Sequence, residues 1–258
     1  MKKALIFGVA IMMGITAMAQ EKLFLTFEFM SVDNEQVDAY METETLWQKL
    51  HEARVKNGDI VGWDLWALSP GGEDQGYQYL TVTVYNDPVK MMEGGGFQEA
   101  FAAAFPNITE KEQEIMDATA KTRDLAVRIY GEEISSTTGE FDMPIGSIAE
   151  MDMMKVDMGN YDVYEKAEDE VFKALHQKSV DADGKESWGL VRFMLPMGSA
   201  TKASHMTVNM YKNTEQRLNE NINWSEGATS AETKLMQEGI AARDMRWVYM
   251  ARLIKKVR

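Results

Sequence analysis

The chain has 258 residues, 26% of them charged, with 41 acidic side chains against 27 basic ones, a formal charge of −14 and no cysteine. A field of that sign disfavours nucleic acid, anionic lipid and heparin-like partners. The absence of cysteine excludes thiol catalysis and disulfides, so stability has to come from a buried core.

Residues 1–19 read as a secretory signal, with Lys2-Lys3 as the positive start, an apolar run from Ala4 to Thr16 and Ala17-Met18-Ala19 as the cleavage site. Gln20 follows the expected cut near Ala19, which leaves no cysteine for lipid attachment. The mature protein is expected in a periplasm or outside the cell, without membrane insertion, because no later stretch is long and apolar enough to span a bilayer. Leu23, Leu25, Phe27 and Phe29 then alternate with more polar neighbours, the period of a strand. A helical pattern runs from Asn34 to about Val55 and stops at Asn57-Gly58. Strands follow over Ile60 to Leu68 and Tyr77 to Tyr85, separated by Ser69-Pro70-Gly71-Gly72. A second helical region starts at Pro88, breaks at Gly94-Gly95-Gly96 and Pro106, and resumes from Thr109 to about Arg123; Leu125 to Tyr130 closes the set as a strand.

This order then repeats. Val32-Asp33, Asp38, Tyr40, Leu50-His51 and Trp63 recur as Val156-Asp157, Asp162, Tyr164, Leu175-His176 and Trp188. Thr81-Val82 and Tyr85 recur as Thr207-Val208 and Tyr211, and Arg123-Asp124 as Arg243-Asp244. The offset is 124 residues at Val32/Val156, 125 at Trp63/Trp188, 126 at Val82/Val208 and 120 at Arg123/Arg243. Two collinear halves of this length are a duplicated domain and not solenoid units. The expected organisation is a first repeat over residues 20–133, a linker over 134–147 and a second repeat over 148–258.

The β-α-β-β-α-β order of each half is the split βαβ, ferredoxin-like unit. Its sheet carries helices on one face only, so the other apolar face needs a cover, and the second copy supplies it. The expected fold is α+β: two antiparallel sheets packed face to face as an intramolecular α/β barrel with the helices outside. With the Tyr40-x-x-x-Glu44-x-x-Trp47-x-x-x-His51 helix as its nearest approach to a motif, the chain resembles the dimeric α/β-barrel superfamily, which includes antibiotic-biosynthesis monooxygenase-like and NIPSNAP-like domains. The resemblance covers nearly all of residues 22–257 and implies a single-chain pseudo-dimer with a ligand pocket between the first helix and the sheet. It implies no single activity, since the superfamily holds cofactor-free oxygenases, cyclases or isomerases and haem binders.

Tyr40, Glu44, Trp47 and His51 share one helix face by their spacing. A glutamate in an apolar stripe needs a partner or a proton. Seven residues separate Glu44 from His51, about 10 Å along the axis, so that partner is not His51. In the second half, Tyr164 to His176 is one residue longer than Tyr40 to His51. A regular helix cannot hold both on one face. Either a π-bulge absorbs the extra residue or His176 points elsewhere. Glu168, Phe172 and His176 do share a face, and Phe172 standing for Trp47 makes the first half the expected better site.

The candidate acid/base residues are thus Glu44 and His51, and the candidate ligand-binding residues are Tyr40, Trp47, Trp63, Tyr164, Glu168, Phe172, His176 and Trp188. Glu28 and Asp152 match on the first strands and are expected to face each other inside the barrel, with Arg128 or Arg252 as salt-bridge partner. Arg123-Asp124 and Arg243-Asp244 are expected to be structural ion pairs or caps at a helix-to-strand corner. Met151, Met153, Met154 and Met158 suit core filling better than copper(I). No metal site and no cofactor is expected, and zinc-hydrolase, nucleophile-elbow, phosphate-loop and dinucleotide patterns are missing. The leading reading is a secreted binder of a small-molecule ligand. The alternative is a cofactor-independent enzyme of monooxygenase or cyclase type using His51 or Glu44; haem binding through His51, His176 or His205 is a lesser one. A strongly shifted carboxylate or histidine in a pocket separates the enzyme from the binder.

Overall fold

The structure is a computed structural model that describes residues 22–224 and 227–258, so the signal segment expected at 1–19 lies outside the described residues. The first half runs β1 (Phe24–Ser31), α1 (Val37–Lys56), β2 (Gly62–Ser69), β3 (Tyr79–Tyr85), α2 (Pro88–Glu93), α3 (Phe97–Ala104), α4 (Glu110–Asp117), α5 (Thr119–Thr122) and β4 (Asp124–Ser136). The second runs β5 (Ile148–Val156), α6 (Tyr161–Ala167), a π-helical turn (Glu168–Phe172), α7 (Lys173–Asp181), β6 (Ser187–Leu195), β7 (His205–Tyr211), α8 (Thr214–Asn219), α9 (Ser230–Ala242) and β8 (Arg243–Val257). Pro88, the left-handed Gly94-Gly95-Gly96 and the Thr109 capping box punctuate the second helical region of the first half as their residue types dictate.

All strand pairs are antiparallel, and they close into one barrel in the order β1-β3-β2-β8-β5-β7-β6-β4. Closure comes from two long strands. The first part of β4 pairs with β1, and its end, Tyr130 to Ser136, crosses to β6 of the other half. Likewise β8 pairs with β5 and then, from Met250 to Val257, with β2. The two sheets are therefore joined by hydrogen bonds as well as by packing. Ser135 and Ser136, read from sequence as the start of a linker, are the last residues of β4.

The inward side chains form one apolar core that includes Phe27, Phe29, Trp66, Leu80, Met151, Met153 and Phe193. Met151 and Met153 stand where the first half has Phe27 and Phe29, and all four are buried there. The outward faces carry separate cores under the helices, around Tyr40 and Trp63 in one half and around Tyr164 and Trp188 in the other. Among the described residues no helix is long and apolar enough to cross a membrane.

In the second half α9 packs on α6 at the close approach of Gly239 to Ala167, where a Cβ on Gly239 would come within 2.3 Å of the Ala167 Cβ. Gly239→Leu is expected to push these helices apart and destabilise the protein by about 1–3 kcal/mol. Thermal unfolding measures this, and an unchanged midpoint would show that the contact does not set the helix spacing.

Candidate functional site

A cavity lies between the helices and the outward sheet face in each half, about 780 Å³ in the first and 680 Å³ in the second. Strand alternation delivers Thr26 and Glu28 from β1 and Thr81, Thr83 and Tyr85 from β3 to the first. The corresponding positions Glu150, Asp152, Thr207, Asn209 and Tyr211 line the second. Glu28 and Asp152 therefore do not meet inside the barrel. Each points to its own helix-covered cavity: Glu28 binds Arg128 at 2.6–2.8 Å, and Asp152 accepts from Thr207 at 2.9 Å and Asn209 at 3.2 Å. The inward face of each strand belongs instead to Phe27, Phe29, Met151 and Met153, whose burial inside the barrel decides the register.

α1 places Glu44, Trp47 and His51 on the cavity wall, with Tyr40 fully buried one turn earlier. Glu44 is 1% exposed and forms an ion pair with Arg123, from the start of the last strand, and not with His51. In the second half the extra residue is absorbed between Glu168 and Phe172, where the Lys173 N–H donates to the Glu168 carbonyl across a π-turn. Tyr164 and His176 consequently both keep the buried positions of Tyr40 and His51. Phe172 takes the place of Trp47: the Arg243 guanidinium lies 5.7 Å from its ring, as Arg123 lies 5.6 Å from that of Trp47. His51 stacks on Trp63 at 4.9 Å and His176 on Trp188 at 4.8 Å, so the two tryptophans hold the imidazoles flat. The matched arginines thus do more than staple a corner, because each carries the countercharge of the buried helix glutamate, Arg243 standing 3.7 Å from Glu168.

The histidines are the most constrained groups. Arg54 Nη1 stands 3.3 Å from His51 Nδ1 while Nη2 donates to Gly94 O and Tyr85 Oη. Lys185 Nζ stands 3.0 Å from His176 Nδ1 and also binds Asn209 and Glu220. Guanidinium and ammonium have no acceptor, so Nδ1 must accept in both rings and each neutral imidazole carries its proton on Nε2. The remaining polar group of the His51 ring is therefore an Nε2–H, a hydrogen-bond donor. Burial, and then the neighbouring cation, lowers the His51 pKa to about 3 and the His176 pKa to about 2. Of the titratable groups in these cavities, the carboxylates are the ones shifted towards neutrality. Burial lifts Glu168 to about 7 against the opposing pull of Arg243, and burial with the nearby Glu150 lifts Asp152 to about 6. Glu168 is thus poised near neutrality in the cavity that His176 lines. The expected inferiority of the second half rested in part on a helix out of register, which the π-turn removes, and in part on Phe172 standing for Trp47, which the structure retains.

Arg54 and Lys185 escaped the sequence reading. Arg54 follows His51 by three residues on α1 and was legible as a neighbour on that face. Lys185 was not, since the repeat aligns it with Ile60 and a different element performs the same task. Glu220 and Trp224, which lines the second cavity and meets His176 edge-on at 5.3 Å, lie in a segment without a repeat signal.

Haem would call on these histidines, and they do not fit it. A ligating imidazole needs a bare nitrogen towards the iron and gives its other N–H to a carbonyl or carboxylate. Here the second nitrogen faces a cation in both cavities, and His205 is fully buried between Ser204 and Glu165. Among the described residues no group of three or more histidine and acidic side chains is arranged to hold a metal ion.

No family model matches the sequence, and no curated protein matches it. Solved structures do. A candidate monooxygenase of Fusobacterium nucleatum is 12% identical with a TM-score of 0.53, covering 93% of this chain and 95% of its own. A candidate monooxygenase of Lactobacillus acidophilus is 11% identical with a TM-score of 0.55 over 92% and 96%. An anthrone oxidase-like protein is 9% identical with a TM-score of 0.53 over 92% and 93%. At these identities the likeness is one of fold: the chain shares with them a closed antiparallel barrel built from two ferredoxin-like repeats.

Proposed function

We propose that the protein is a cofactor-independent enzyme that removes a proton from an enolisable or phenolic aromatic small molecule, in the manner of a monooxygenase of this fold. The observation that carries this reading is the pairing of unlike groups in one aromatic-walled cavity. Glu168 is a carboxylate raised to about 7, and His176 is an imidazole fixed as an Nε2–H donor. Glu168 takes the proton. The His176 Nε2–H and the cation of Arg243 stabilise the oxyanion that forms, a hydrogen bond that strengthens as charge develops. An electron-rich enolate can then react with dioxygen directly; anthrone plus dioxygen gives anthraquinone plus water. Glu44 forms the matching ion pair with Arg123 in the first half, and turnover is assigned mainly to the second cavity, where Glu168 is raised to about 7. The same reading takes the enzyme to act outside the cytoplasm after cleavage near Ala19, which mass spectrometry of the secreted form checks by an N-terminus at Gln20.

The test uses anthrone and the chain from Gln20 onward. Proton exchange at the acidic carbon is followed by NMR under nitrogen, and dioxygen uptake in air. Glu168→Gln is expected to slow exchange by roughly 100-fold or more, as loss of a general base does. His176→Gln is expected to slow it by a smaller factor without abolishing binding. Saturable binding with no exchange above buffer would return the protein to the binding reading.

A further inference from the structure

A third cavity of about 310 Å³ lies inside the barrel, meeting the second helix-side cavity at Trp188, which lines both. Leu25, Phe27, Trp66, Leu80, Val82 and Met151 make it apolar. Its polar lining residues are Asp64, Glu133, Ser136, Thr137, Ser187 and Arg258, and Asp64 is the buried carboxylate among them. Asp64 sits on β2 between Trp63 and Leu65, which pack under the helices, so its side chain points inward with Trp66. It is 4% exposed, and burial raises its pKa although Arg258 opposes the shift. The repeat places Gly189 at the matching position, so the barrel does not require a carboxylate there.

The partner of Asp64 is a movable one. Arg258, the residue after β8, sets Nη2 2.9 Å from Oδ2 and Nη1 2.8 Å from Oδ1, and its own side chain is 42% exposed. Oδ1 is buried without a well-formed hydrogen bond. Gly62 leaves the space in which the guanidinium lies, since a Cβ there would come within 2.6 Å of Nη1. A half-exposed arginine loses little on swinging into water, whereas the strand-borne carboxylate cannot leave.

We infer that the barrel interior binds a small apolar amine, whose ammonium displaces Arg258 from Asp64 while its hydrocarbon body fills the cavity. The volume is at the lower end of ligand pockets, roughly 300–1,000 Å³, and suits a body the size of phenylethylamine or octylamine. An apolar acid is disfavoured because it would set a further anion in a cavity that Asp64 and Glu133 already line. This site is independent of the proton-transfer reading above.

The experiment is calorimetric titration of the chain from Gln20 onward at pH 7 with octylamine and 2-phenylethylamine, against octanoate and octanol as probes of equal body. The amines are expected to bind and the other two to bind at least tenfold more weakly. Asp64→Asn is expected to weaken the amines tenfold or more. Arg258→Ala is expected to tighten them several-fold, because it removes the competing cation; a merely structural pair would predict no gain. Binding should persist in His176→Ala and Trp47→Ala, which alter the helix-side cavities. Equal binding of octanol or octanoate, indifference to Asp64→Asn, weaker binding in Arg258→Ala, or loss in the two helix-side variants would each overturn the assignment. If Asp64→Asn fails to fold, the Arg258→Ala titration decides alone.

Discussion

Lys185→Met is expected to destabilise the protein by about 3–5 kcal/mol, the cost of stranding one partner of a buried ion pair. The Lys185 side chain is 1% exposed and lies 3.1 Å from Glu220, itself nearly buried. Ser179 and Tyr211 would still donate to Glu220, at 2.7 and 2.6 Å, but neither carries the compensating charge. Arg54→Met, the matching change in the first half, is expected to cost less, about 1–3 kcal/mol, because Arg54 holds a carbonyl, a tyrosine hydroxyl and an imidazole and no carboxylate. Urea unfolding with an unchanged denaturant slope measures both. A second readout separates packing from positioning. Nitrogen-15 shifts of the wild type should show both helix-cavity imidazoles protonated at Nε2 alone. In Lys185→Met the His176 ring should populate the other tautomer and titrate closer to the ordinary histidine value. A stable Lys185→Met protein with unchanged shifts would remove the lock on which the donor role of His176 rests.

The parts of this architecture that were legible in the sequence are those written twice. Val32, Tyr40, Trp63 and Arg123 each have an echo, and the echoes give the element order, the barrel and the matched helix faces. The one-residue excess before His176 left either a π-turn or a displaced His176, because a helix of 3.6 residues per turn cannot otherwise keep Tyr164 and His176 together, and the structure has the π-turn. Where the halves part company, the sequence was silent. The crossing of β4 and β8 to the opposite sheet depends on pairings such as Ser135 with Leu190 and Leu65 with Lys255, which no local pattern encodes. The side taken by Glu28 and Asp152 was misread for a different reason. Both faces of these sheets are covered, so apolar residues occur at odd and even positions alike and alternation alone does not say which face is the barrel interior. The exchange of Arg54 for Lys185 kept the electrostatic environment of the imidazole while changing the residue and its element, a kind of equivalence visible only in three dimensions.

Acid should unfold this protein late and then steeply. His51 and His176 have folded pKa values lowered to about 3 and 2, against 6.5 for the free side chain, because burial and the facing cations Arg54, Lys185 and Arg243 penalise a second positive charge. A lowered folded value means that the unfolded chain binds the proton first. The stability these groups contribute is complete above pH 6.5 and is lost as pH falls from there towards 3, with a slope of about 1.4 kcal/mol per pH unit for each ring. Glu168 and Asp152 run the other way. Their folded values, about 7 and about 6, exceed the free values of 4.5 and 3.8, so the folded state takes up protons first and gains stability as pH falls through those windows. Two rings and two carboxyls nearly offset one another between pH 6 and 4.5. Below about 4 the windows of these two carboxyls are exhausted and the histidine loss continues without their offset. Urea unfolding at steps from pH 7 to 3.5 should therefore give a plateau followed by a loss of about 2 kcal/mol by pH 3.5, a sizeable fraction of the stability of a typical domain. Glu168→Gln should tilt the plateau, so that stability begins to fall near pH 6.5. A His51→Gln, His176→Gln double variant should lose the steep limb. An acid limb unchanged in the double variant would show that these rings are not held neutral, and the donor role assigned to them would fall with it.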